Sequence, residues 1–101
     1  MIYFDSAATT LQKPETVPAA VAEAIRTMTT PGRGDYPAAH LAADRMLALR
    51  TEAAEYFGVS DPERVILTTN ATYGLNLAIK SLVSPGDTVV ISGYEHNAVT
   101  R

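Results

Sequence analysis

Apolar residues recur along the chain with two different periods. Val17, Val21, Ala24, Ile25 and Met28 stand at i, i+4, i+7, i+8 and i+11, the stripe of an amphipathic helix. Pro14 and Glu15 suit its first turn, and Pro18 is tolerated only within that turn. Thr29-Thr30-Pro31-Gly32 ends it. Glycines and prolines then crowd residues 31–37, which predicts a loop. A longer helix is predicted over about 38–57, with Ala43, Met46, Leu47, Ala54 and Phe57 on its buried side and Gly58 as its stop.

The period changes in the second half. Residues 64–68 and 88–92 are short, apolar and rich in β-branched side chains, and both read as buried strands. Between them Leu75, Ala78, Ile79 and Leu82 give a third helical stripe, and Ser84-Pro85-Gly86-Asp87 makes a turn. A crossover helix between two apolar strands implies parallel pairing in a right-handed unit, covered by helices on both faces. The expected organisation is an arm over 1–13, a helical part over 14–58 and the strand-helix-strand start of a sheet over 64–101. The fold class is α/β. Two parallel strands are too few for a finished sheet, so the pattern reads as a domain truncated at its carboxyl end.

Composition narrows the classes. Of 101 residues, 47% are hydrophobic and 19% charged, as in ordinary globular domains. Such a chain buries roughly 60–70% of its unfolded surface, enough for one modest core. No apolar run reaches the roughly 18 residues of a membrane span, and Met1-Ile2-Tyr3-Phe4-Asp5 has no secretory pattern. With no cysteine there is no disulfide, thiol nucleophile or cysteine metal site within the chain. A net charge of −3 argues against nucleic acid or an anionic membrane as partner. The expected location is cytoplasmic.

In open α/β sheets ligands bind beyond the carboxyl ends of the strands. Two polar loops are predicted there. The first, Thr68 to Gly74, leads into a helix amino terminus, whose free N–H groups and dipole favour an anion. Thr72 adds a hydroxyl donor, and Ala71 is small enough for close approach to its backbone. The plainer alternative is that Thr69, Asn70 or Thr72 only caps the helix. The loop lacks the glycine-lysine signature of a Walker loop. The second loop holds Glu95 and His96. A histidine there suits stacking on a planar ring, metal binding or base chemistry; the alternative is a ring bonded to its own loop. His40, the only other histidine, lies on another helix, which argues against a metal. Arg33 between two glycines offers a guanidinium for an anion or simply marks a surface loop. Lys80 reads as a solvent-facing residue.

Taken in order, these residues resemble the amino-terminal quarter of the class V aminotransferase family, in particular its cysteine desulfurase-like members. The resemblance is carried by Tyr3 to Thr10 with Lys13-Pro14, by Pro31 to Tyr36, by Arg50, by Thr69-Asn70-Ala71-Thr72 with Leu75-Asn76, by Gly86-Asp87 and by Glu95 to Val99. It implies the incomplete large domain of a fold type I transferase that uses pyridoxal 5'-phosphate (PLP). Ala71 and Thr72 would then hold the cofactor phosphate. His96 would stack on the pyridine ring and assist proton transfer, and Asn76 would lie near the cofactor. The family's Schiff-base lysine, its aspartate for the pyridinium nitrogen and the desulfurase cysteine come later in such chains. The implied parent reaction is removal of sulfur from cysteine, giving alanine and an enzyme persulfide. A homodimer and a sulfur-acceptor protein are its implied partners. A selenocysteine lyase, epimerase or aminotransferase of the same family is the nearest alternative. A non-catalytic phosphate-binding module or a subunit-interaction fragment is the alternative outside it.

Overall fold

The computed structural model describes residues 2–100. The chain divides into two compact units between Pro62 and Glu63.

The first unit begins with an arm that has no regular element. It is nevertheless closed on itself. The Tyr3 hydroxyl donates to the Thr9 carbonyl at 2.6 Å, and the Ala8 and Thr9 amides donate to the Asp5 carbonyl. Helix α1 spans Thr16–Thr27. Pro18 lies within its first turn, where it removes no intrahelical bond. The apolar stripe of α1 is only partly covered: Ala24 and Met28 are half-buried, Val17 and Val21 are exposed, and Ile25 is 78% exposed.

Helix α2 spans Pro37–Phe57, with Pro37 pre-set for its first position and Tyr36 extended before it. Its end is a Schellman motif. Gly58 takes φ +67°, its amide donates to Glu55, and the Val59 amide donates to Ala54 at 2.8 Å. The buried positions are Ala39, Ala42 and Ala54. Met46, Leu47 and Phe57, expected on the buried side, are exposed, Phe57 at 75%. The smaller side chains are the ones inside. The loop before α2 is pinned by a 3.0 Å contact between the Thr29 and Tyr36 hydroxyls and by His40 Nε2 at 2.6 Å from Asp35 Oδ1.

The second unit holds helix α3, Ala71–Leu82, and the short helix α4, Asn97–Thr100, which pack against each other. A single 3₁₀ turn, Pro62–Arg64, precedes them. The turn at 84–87 is closed twice, by the Asp87 amide on the Ser84 carbonyl and by the Ser84 amide on Asp87 Oδ2.

The expected sheet start is not formed. Among the described residues no β-strand occurs, and 64–68 and 88–92 run without ladder partners. The physical reason is that a parallel strand bonds only to neighbours alongside it, and a pair of strands does not make a stable parallel sheet. The side chains agree: Ile66, Val89 and Ile91 are exposed, and Val90 is 91% exposed. No helix among the described residues is long and apolar enough to cross a membrane.

Candidate functional site

The site is built around the amino terminus of α3. Asn70 is its cap: the backbone is extended and Oδ1 accepts from the Tyr73 amide at 2.8 Å. Of the three residues suited to capping, Asn70 takes the role. The Gly74 amide reaches the Asn70 carbonyl at 3.0 Å as the first helical bond. The amides of Ala71 and Thr72 have no hydrogen-bond partner among the described residues. Two free donors therefore remain at the positive end of a 12-residue helix.

The approach to this end is held from behind. The Thr68 hydroxyl donates to the Asn70 carbonyl at 3.1 Å. The same oxygen would lie 3.1 Å from a Cβ at position 74, so Gly74 gives it room. Ala71 and Thr72 are exposed. Two amides, one hydroxyl and no acidic side chain in the first turn make a donor set that fits a phosphate.

Asn76 lies one turn further on, and its amide is engaged. Nδ2 donates to the Thr72 carbonyl at 3.0 Å and to the Ala98 carbonyl at 3.2 Å. The second bond joins α3 to α4. His96 stands immediately before α4. Its Nδ1 accepts from the Ala98 amide at 3.1 Å, and its carbonyl accepts from the Val99 amide at 2.8 Å. An imidazole nitrogen that accepts carries no proton, so the neutral ring has its hydrogen on Nε2. The ring is thus bonded to its own loop while remaining exposed. Glu95 is turned to Ser92, whose hydroxyl donates to Oε1 at 2.8 Å.

Of the predicted site residues, Thr72 and Asn76 are bonded to each other. His96 is linked to Asn76 through Ala98, whose two backbone groups are held one by each. Ala98 is buried at 7% exposure; it lies in the Glu95 to Val99 motif, but nothing local to it marks this linking role. A groove of about 480 Å³ runs along α3, lined by Asn70, Thr72, Tyr73, Asn76, Leu77 and Lys80. Lys80 is exposed along it, as expected from its position on the helix. In the first unit Arg33 is exposed on its loop.

The model of the family described as aminotransferase class-V matches residues 2–101. Among curated proteins, a cysteine desulfurase of Klebsiella pneumoniae is 37% identical, covering 97% of this chain and 25% of its own length. The cysteine desulfurase SufS of Plasmodium falciparum is 32% identical, covering 97% of this chain and 19% of its own. A probable cysteine desulfurase of Chlamydia muridarum is 35% identical, covering 96% and 25%. The chain spans about a quarter, or less, of the length of these relatives. No solved structure matches it. The family model that matches residues 2–101 leads to one family: this chain belongs to the class V aminotransferases, of fold type I.

Proposed function

We propose that this chain supplies the cofactor-phosphate and ring contacts of a PLP-dependent cysteine desulfurase. The observation that carries the reading is the pair of unpartnered amides at Ala71 and Thr72, beside the Thr72 hydroxyl and free of acidic neighbours in that turn. Those groups would hold the phosphate of pyridoxal 5'-phosphate. His96 would lie against the ring, with its proton on Nε2 and its orientation fixed by the Ala98 amide. Asn76 would stand near the same group. When bound, the cofactor supplies an electron sink for bond cleavage next to the amino group of the substrate.

The chain's own contribution is binding and orientation. The helix terminus neutralises phosphate charge without a lysine or arginine, and His96 offers a protonated nitrogen for proton transfer. The chain contains no cysteine; in this reading the sulfur nucleophile, the Schiff-base lysine and the pyridinium aspartate would all come from outside these 101 residues. The overall reaction takes cysteine and an enzyme thiol to alanine and an enzyme persulfide. A homodimer in the cytoplasm, passing sulfur to an acceptor protein, completes the reading. Residues 64–68 and 88–92 would become parallel strands where the rest of such a domain supplies their neighbours.

A chimera tests this. The chain replaces the matched quarter of the Klebsiella pneumoniae relative, and retained cofactor and alanine formed from cysteine are measured. The reading expects a yellow protein that makes alanine. A folded chimera that holds no cofactor would overturn it.

A further inference from the structure

We infer that Asn76 is a positioning residue that sets the orientation of the His96 ring through Ala98. The inference rests on the proposed role of His96 and adds to it a residue acting at a distance. Three contacts carry it. Asn76 Nδ2 is anchored to the Thr72 carbonyl at 3.0 Å, inside the helix that bears the phosphate donors. The same nitrogen holds the Ala98 carbonyl at 3.2 Å. The Ala98 amide in turn donates to His96 Nδ1 at 3.1 Å.

An amide nitrogen has two hydrogens, and both of Asn76's are used. The group is therefore satisfied by backbone and has no donor left for a ligand. Ala98 is buried, so its carbonyl has no ready substitute in water when the donor is removed. The peptide unit of Ala98 transmits the constraint: its carbonyl is fixed by α3 and its amide fixes which imidazole nitrogen accepts. Asn76 thus joins the helix of the phosphate donors to the ring that would cover the cofactor. It also keeps the His96 proton on Nε2.

The test uses the 101-residue chain and compares Asn76→Asp and Asn76→Ser with the parent. Aspartate keeps the size but donates nothing, and serine cannot span to Ala98 while keeping a hydroxyl for its own helix. The readouts are the ¹⁵N shifts of the His96 ring, which report its tautomer, and amide exchange at Ala98 and Tyr73. The expected result is a mixed His96 tautomer and about five-fold faster exchange at Ala98, the factor of one neutral hydrogen bond. Tyr73, held by the Asn70 cap, should keep its protection. An unchanged His96 tautomer in both variants would overturn the inference. Loss of protection at Tyr73 as well would also overturn it, because Asn76 would then support the helix as a whole. Titration of the parent chain with pyridoxine 5'-phosphate, which has ring and phosphate but no aldehyde, separates the two readings. Failure of that ligand to shift Ala71 and Thr72 counts against the phosphate site and leaves the Asn76 result standing.

Discussion

The side-chain amide of Asn76 meets the carbonyl of Ala98 across 3.2 Å, joining positions 22 residues apart. That bond ties together the two α-helices of the second unit among the described residues. It places the helix with the free amides of Ala71 and Thr72 in fixed relation to the segment that begins at His96.

The phosphate reading predicts a graded effect at Thr72. Thr72→Ala removes a hydroxyl donor to a charged group, worth about 1.5–3 kcal/mol. In the chimera it should weaken cofactor retention by roughly 10- to 150-fold, whereas Thr72→Ser should keep most of it. Equilibrium dialysis against pyridoxal 5'-phosphate measures both. Equal retention in all three proteins would remove the hydroxyl from the site.

His96 should act on rate rather than on loading. His96→Ala in the chimera is expected to lower kcat for alanine formation while leaving most of the cofactor bound. A variant with parental kcat would reject the proton-transfer role, and one that merely loses cofactor would reduce His96 to a binding contact.

The Asn70 cap is separable from ligand binding. Asn70→Ala removes the acceptor for the Tyr73 amide and should cost about 1 kcal/mol of helix stability. Faster hydrogen exchange at Tyr73 is the expected signature. Asn70→Asp should preserve the cap, since its carboxylate accepts the same hydrogen.

Gly58 is predicted to be sensitive for a backbone reason. Its φ of +67° is left-handed, and no atom lies within 4 Å of where a Cβ would stand, so conformation is the whole penalty. Gly58→Ala should destabilise the carboxyl end of α2 by about 1–2 kcal/mol. A urea titration followed by circular dichroism would show it.

Helical parts were the most legible in the sequence. The period of Val17, Val21 and Ile25, the glycine at 58 and the Pro-Gly turn at 85–86 each act over a few residues, and local patterns carry them. Burial was less legible. In α2 Met46, Leu47 and Phe57 point outward while Ala39, Ala42 and Ala54 are buried, which depends on a partner surface that periodicity does not identify. Residues 64–68 and 88–92 have the short, apolar, β-branched pattern of strands, but a ladder is a property of two neighbours, and none forms among the described residues. At the site, Thr69, Asn70 and Thr72 are all chemically able to cap; only geometry selects Asn70. The Asn76–Ala98 bond spans too many residues for any local motif to announce it.

The exposed Val90 turns the strand proposal into an experiment. In the chain alone Val90→Asp should change stability by less than about 0.5 kcal/mol, since the side chain is 91% exposed. In the chimera the same change would bury an unpaired carboxylate in a sheet and should abolish folded protein. Equal tolerance in both settings would exclude 88–92 from a buried strand.

The proposed phosphate site for a pyridine cofactor is the amino terminus of α3. The most direct measurement is a ¹H–¹⁵N titration of the chain with pyridoxine 5'-phosphate. Phosphate binding at this terminus should give saturable shifts centred on the Ala71 and Thr72 amides, weakened by Thr72→Ala. Shifts confined to Arg33, Lys13 or Lys80, or no saturable shift at all, would contradict it.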